Sequence, residues 1–357
     1  EYNPKDPIIE EEKEYPCKYI DPHTNNDYLF KVTYFDKKIN IDIFHSLTDG
    51  NSGTTFFKEI IYTYLEMLHP TNFENELRTT RKIDYDTEDS YIKNYDKKSK
   101  ANASTKKAFI LKGKKIKLGA VSAVHEIMDL TKLKSIVKEN NATITQYLTA
   151  VLIYSIYKAN YQKYNGKKPI KVCIPVDLRK YFNTKTMSNF FTYITVEAEM
   201  KKYNLDTFEK ILEFVKQDFK QKLTEEELMR TMSNNVKLGK NPFLSAIPLP
   251  IKKALVRLSY IEIRKYTTIT FSNIVRMGIM GKYKDYMEYF LMLIAPEPVE
   301  KIKCSACSFE DKMVFTFTSI LKDSSIEKYF YEFIKNKGID IKIESNEVLD
   351  VISKENE

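Results

Sequence analysis

His45 ends the alternating run Ile39, Ile41, Ile43 and is followed by Ser46, Leu47, Thr48, Asp49 and Gly50. A neutral imidazole takes a proton from an attacking alcohol near neutral pH and later returns one to a leaving thiol. A histidine at a strand-to-loop junction therefore suits general-base work. Asp49 lies four residues on, but the intervening Ser-Leu-Thr and the following Gly-Asn argue against one continuous helix, so its expected work is orientation. A carboxylate turned inward at this loop requires hydrogen bonds or a cation, because an unpaired buried charge is heavily penalised. Arg179, which closes the short VDLR segment, is the expected partner, and Gly50 permits a close approach denied to a residue with a side chain. A histidine beside an apolar strand also serves packing alone, and HSLTDG by itself does not separate the two readings.

Two further polar pairs stand beside apolar runs. Ser272 and Asn273 in TTITFSN either face a cleft and donate to a developing oxyanion or make a hydrogen-bonded turn. Ser188 and Asn189 in TMSNFF either align a thioester arm or start a strand. His23, His69 and His125 read as structural, and no paired His or His-Glu spacing suggests a metal site. Cys304 and Cys307 have C-x-x-C spacing with no second pair, so buried thiols are the expected account. Asp84, Asp86, Glu88 and Asp89 lack the glycine and terminal glutamate of a calcium loop and read as solvated surface.

The elements that must position these groups follow from periodicity. Residues 28–34 and 39–43 alternate as strands, and Phe56, Phe57, Ile60, Ile61, Tyr64, Leu65 and Leu68 recur at helical spacing, with Ser52 or Asp49 as cap. The connection is strand, loop, helix. Residues 84–107 are poor in core residues and read as a mobile crossover, with a boundary near residue 100. Beyond it the pattern predicts a strand over 115–127 and helices in DLTKLKSIVKENN and the stretch from Asn141 to Tyr164. Strands are expected in KVCI, SNFFTYITVEA, TTITFSNI and Tyr286–Ile294, with a charged amphipathic helix over 205–230 and a mixed stretch over 251–265. Two strands flank Glu310-Asp311, and a last helix stops at Gly338. No fixed repeat appears, so a layered α/β (α+β) architecture is expected.

The 357 residues are natural for two subdomains sharing a cleft. Hydrophobic residues at 43% and charged residues at 30% fill a core and cover it, which excludes general disorder. The net charge of +8 suits an anionic partner, but no zinc-finger spacing, RNP-type strand or recognition-helix motif accompanies the lysines, so nucleic acid is not the expected ligand. Four cysteines are too few for a disulfide-dense scaffold of this size, and no apolar run is long enough to cross a bilayer. A reducing cytoplasm and a monomer that completes its own cleft are the expected setting.

The segment FHSLTDGNSGTTFF, with His45, Asp49 and Gly50, resembles the H-x-x-x-D-G pattern of the condensation and CoA-dependent acyltransferase superfamily. Supporting segments follow in order: ATITQYLTAVLIYSI, IKVCIPVDLRK, MSNFFTYITV and TTITFSNI. The nearest branch in appearance is that of bacterial alcohol acetyltransferase-like proteins. The resemblance implies two chloramphenicol-acetyltransferase-like subdomains with an active-site tunnel between them, residues 1–100 forming the first, incomplete at its start, and 101–357 the second. It assigns general-base work to His45 and a structural salt bridge to Asp49. It further implies acyl-CoA as co-substrate, no tightly bound cofactor, and a small alcohol or amine as acceptor. Two alternatives remain open: an enzyme of condensation type served by a carrier protein, and a catalytically silent binding or assembly protein of the same fold. Phe44 stands where many peptide-forming condensation domains carry another histidine, and the plant D-F-G-W-G motif is missing.

Overall fold

Two sheets organise the chain, and the loop bearing His45 leaves one of them to meet the other. The computed structural model describes residues 3–73, 89–99, 106–240, 247–274 and 276–346. In the N-terminal sheet β2 (Phe30–Phe35) and β3 (Lys38–Ile43) pair antiparallel around Asp36, whose φ of 49° makes the tight reversal. The short β1 (Ile9–Glu11) lies parallel to β2. Beyond β3 the chain turns and enters α1 (Gly50–Leu68), which starts where the Asp49 carboxylate accepts the Ser52 N–H. Of the two capping candidates, Asp49 is the one used.

The second sheet is mixed and seven-stranded: β4 (Ser122–Asp129), β5 (Ile170–Asp177), β6 (Phe191–Ala198), β7 (Ile269–Ile274), β8 (Ile302–Phe309), β9 (Lys312–Ser319) and β10 (Ile341–Ser345). Its order is β10-β4-β9-β8-β7-β5-β6, with β7 parallel to both β8 and β5 and the other pairs antiparallel. Period-two alternation divides the side chains between two faces. Ile170, Val172, Ile174, Ile194, Val196, Ile269 and Phe271 point into the main core, with α4 (Ile144–Ala159) buried against them. The α4 helix starts with a reciprocal capping box between Thr143 and Gln146. Further helices are α3 (Leu130–Glu139), α5 (Phe208–Lys222) and α8 (Ser325–Asn336). The opposite face carries a smaller core in which Ile61, Tyr62 and Leu65 of α1 meet Ile127, Cys307, Phe309 and Val314. Helices on one face and α1 on the other give three layers.

Several elements differ from the sequence expectation. The charged stretch over 205–230 is two helices, α5 and α6 (Glu225–Gly239), because Thr224 restarts the backbone: its hydroxyl accepts the Glu227 N–H, and three glutamates follow in the first turn. Residues 251–265 form most of one helix, α7 (Leu249–Arg264). Tyr286–Ile294 is not a strand. Tyr286 closes a 3-10 turn, and residues 287–294 run over the face of β8, tied there by side chains that donate to their carbonyls: Ser305 to Met292, Cys307 Sγ to Phe290 at 3.0 Å, and Thr318 Oγ1 of β9 to Ile294 at 2.5 Å. Phe290 is buried, and Leu291 to Ile294 are half-buried, by lying on a sheet rather than in one. Strand β10 follows Gly338, whose φ of 82° ends the last helix, and pairs with β4 although sequence gave it no signal. Of the expected crossover over 84–107, residues 84–88 and 100–105 lie outside the described residues. The short α2 (Ser90–Lys93) within it is docked, with the Tyr91 hydroxyl donating to Phe191 O at 2.8 Å and Ser90 Oγ 2.7 Å from Thr184 Oγ1.

Candidate active site

Asp49 is the hub of the loop that carries His45. It is 6% exposed, and its Oδ2 accepts from Arg179 Nη2 at 2.9 Å and from the Phe190 N–H at 2.8 Å. Its Oδ1 accepts the Ser52 N–H at 3.1 Å, so one carboxylate joins the start of α1, the short turn after β5 and the start of β6. Every nitrogen of the Arg179 side chain is engaged. Nε donates to Thr186 O, Nη1 to Asp177 Oδ1, and Nη2 also to Ser52 Oγ and Ser188 O, at distances from 2.7 to 3.0 Å. A planar guanidinium with five donors is the side chain suited to such a junction. Thr48 Oγ1 donates to Met187 O at 2.6 Å, and Asn51 Nδ2 to Asp177 Oδ2 at 3.1 Å, which clamps the loop from both sides.

His45 is exposed at the tip of this clamped loop, not enclosed as the expected tunnel requires. Its carbonyl accepts from Asn189 Nδ2 at 2.9 Å, and its ring stands 5.4 Å from that of Phe191 with the planes inclined by 40°. Phe191 is itself held at both main-chain groups by the Tyr91 hydroxyl. The loop backbone is thus fixed while the imidazole edge remains accessible. Asn189 acts on the loop, and its Oδ1 is buried without a partner. Ser188 contributes its carbonyl to Arg179, and its N–H donates to Thr186 Oγ1 at 3.2 Å.

Sheet register separates Ser272 from Asn273. Both lie within β7 and make no turn, so they point to opposite faces and cannot both reach one cleft. Asn273 faces α4, where its Nδ2 donates to Thr145 Oγ1 at 2.9 Å. Ser272 shares the other face with Ile274, against which Gly50 packs: a Cβ on Gly50 would stand 3.2 Å from Ile274 Cδ1 and 3.6 Å from Met292 Cε. That face continues through Cys173, Pro175 and Asp177 of β5 and Phe191, Tyr193 and Thr195 of β6, none of them buried. The only candidate of the pair on the His45 side is Ser272.

The remaining titratable groups have structural surroundings. His125 Nδ1 lies 2.9 Å from Thr316 Oγ1, and burial lowers its pKa to about 4. Cys304 and Cys307 are buried on opposite faces of β8, burial raising the first well above the thiol range and the second to about 12. Among the described residues no three His, Cys, Asp or Glu side chains group as metal ligands, and no helix is long and apolar enough to cross a membrane. Sequence reading missed Asp177, Asn51, Phe191 and Tyr91. Asp177 was legible in hindsight, two residues before Arg179 in the same VDLR segment. Tyr91 carried no signal, since its partner is a hundred residues away.

Residues 88–242 match the alcohol acetyltransferase family. No curated protein matches the chain. Solved structures of similar fold include TRI101 of F. sporotrichioides in complex with coenzyme A and T-2, at 12% identity and TM-score 0.57, covering 88% of this chain and 70% of that one. The TRI3 trichothecene 15-O-acetyltransferase of Fusarium sporotrichioides is 11% identical with TM-score 0.51, over 88% of this chain and 71% of that one. The epimerization domain from the third module of tyrocidine synthetase B is 12% identical with TM-score 0.52, over 87% and 72%. The fold is of the class shared by condensation domains and CoA-dependent acyltransferases, with two chloramphenicol-acetyltransferase-like subdomains. Within that class the match over residues 88–242 lies with the alcohol acetyltransferases.

Proposed function

We propose that the protein moves an acyl group from a CoA thioester to a small alcohol or amine, with His45 as general base. The acceptor's proton passes to His45 as its oxygen or nitrogen attacks the thioester carbonyl, Ser272 Oγ donates to the developing oxyanion, and the thiolate leaves with the proton returned by His45. No acyl-enzyme is needed. Asp49, Gly50 and Arg179 hold the loop, and Ser188 and Asn189 support it from the turn before β6. The observation that carries this reading is the pairing of an accessible imidazole with a loop backbone fixed by the Asp49–Arg179 junction. Holding the base in place removes much of the entropic cost of the encounter. The coenzyme A bound to TRI101 supports the choice of donor.

The proposal divides the chain into residues 1–100 and 101–357 and takes it as a cytoplasmic monomer with no tightly bound cofactor. The similarity to an epimerization domain keeps a carrier-protein thioester as the second reading. Mass spectrometry of acyl-CoA incubated with acceptor pools tests both. An acylated acceptor with release of free CoA is expected, reduced about 10²- to 10⁴-fold in His45→Ala with the fold retained. Unchanged turnover in His45→Ala refutes the assignment, and transfer only from a loaded carrier protein replaces free CoA as donor.

A further inference from the structure

Helix α7 (Leu249–Arg264) has no buried residue. At 3.6 residues per turn Ile251, Leu255, Leu258 and Ile261 fall on one side, each between 42% and 65% exposed. Lys252, Lys253 and Arg257 fall on the opposite side, around the exposed Leu249, Val256 and Tyr260. None of these three cations has an ion-pair partner among the described residues, and residues 249–258 contain no acid. The charges at the far end are already matched: Arg264 pairs with Glu297 at 2.8 Å, and Glu262 with Lys107 and Lys265 at 2.5 and 2.6 Å. The helix is therefore anchored at its C-terminal turn and bare, cationic and two-sided before it.

We propose that α7 is a docking element for an anionic lipid surface, lying in the plane of the bilayer interface. An apolar stripe opposite a lysine and arginine stripe is the pattern that sinks one side below the headgroups and leaves the other among their phosphates. Charge complementarity selects lipid over a second copy of the chain. Two α7 helices joined along their apolar sides leave three unmatched cations on each and keep Leu249, Val256 and Tyr260 in water. Anionic headgroups match the cations, and the interface is where a tyrosine with an apolar body and a wet hydroxyl is favoured. The consequence for the candidate site is positional. Arg264 and Tyr260 both reach Glu297, and the chain passes from α7 directly into β7, the strand that carries Ser272. A docked α7 holds that strand near the membrane surface, within reach of an acceptor dissolved in it. This goes beyond the acyl-transfer reading, and its test uses no turnover.

The experiment is flotation of the full chain with vesicles of phosphatidylcholine alone or with roughly a quarter phosphatidylglycerol. Flotation with the anionic vesicles only is expected, weakened by salt. Each basic residue near such a surface changes partition about fivefold, so Lys252→Glu with Lys253→Glu and Arg257→Glu should lower it on the order of a hundredfold or more. Leu255→Ser with Leu258→Ser should abolish it at unchanged circular dichroism. Because the chain has no tryptophan, Leu258→Trp supplies a single reporter in an otherwise intact protein, and its emission should shift to the blue with anionic vesicles alone. Failure of the wild-type chain to float, equal binding by the charge-reversed variant, or an unshifted reporter overturns the proposal. So does a concentration-dependent dimer that binds no lipid and is lost in Leu255→Ser with Leu258→Ser, which assigns the face to a second copy.

Discussion

Replacing Asp49 by asparagine tests whether the loop is held by one buried carboxylate. Asparagine caps a helix as well as aspartate does, so the Ser52 N–H can keep its acceptor. The amide nitrogen then faces two donors, Arg179 Nη2 and the Phe190 N–H, which are 2.9 and 2.8 Å from the carboxylate oxygen in the wild type. Flipping the amide restores an acceptor to those two donors only by giving up the cap. Both side chains of the ion pair are largely buried, at 7% and 12% exposure, so solvent does little to screen the loss. Breaking such a pair while one charge stays behind costs about 3–5 kcal/mol. For 357 residues, an unfolding entropy of about 0.75 kcal/mol/K turns 4 kcal/mol into a melting shift of about 5 °C. Scanning calorimetry measures the shift, and acyl transfer assayed well below melting measures the displacement of His45. Activity and a melting temperature both within about 1 °C and twofold of wild type would refute the hub.

Ser272→Ala should cut turnover by about 10²-fold with little change in melting, whereas Asn273→Ala should lower stability through Thr145 and spare chemistry. Steady-state kinetics beside thermal melts on the two variants decide it, and the reverse pattern would put the wrong face of β7 toward the site. Glu327 is buried, and desolvation raises its pKa to about 7, above the ordinary 4.5. The folded form thus binds a proton that the unfolded form has lost, and the resulting stability is present below about pH 4.5 and lost as pH rises through 7. Glu327→Gln should therefore be more stable than wild type by about 3 kcal/mol at pH 8 and nearly equal to it at pH 4. Urea titrations at the two pH values show this, and an equal difference at both refutes it. Cys304 and Cys307 should resist a thiol reagent at pH 8 until the protein is unfolded, with labelled peptides read by mass spectrometry.

Local chemistry made some of this site legible and topology hid the rest. Asp49 and Arg179 could be paired from sequence because a buried carboxylate demands a cation and VDLR supplied one between core segments. The partners of His45 could not be read in this way. Asn189 and Phe191 reach it only because β6 starts beside the loop, and Tyr91 supports Phe191 from a segment whose composition resembles a linker. Treating Ser272 and Asn273 as one polar pair failed for a geometric reason: a turn can aim neighbours together, but a strand cannot. The apolar run at Tyr286–Ile294 reads as a strand because burial, not pairing, is what such a run reports. The break between α5 and α6 was written in Thr224 followed by glutamates and was masked by continuous amphipathic spacing.

The strap over β8 divides tolerance to mutation unequally between the two surfaces it joins. Its acceptors are main-chain carbonyls, which every residue possesses, so Met292 and Ile294 can be exchanged for other apolar residues without removing a single tether. The donors are individual hydroxyls and a thiol, and one atom lost in Ser305→Ala or Thr318→Val frees the strap at that point. Because Met292 touches the place where Gly50 enters α1, slack introduced at β8 should travel to the histidine loop, while an apolar exchange at Ile294 should stay silent.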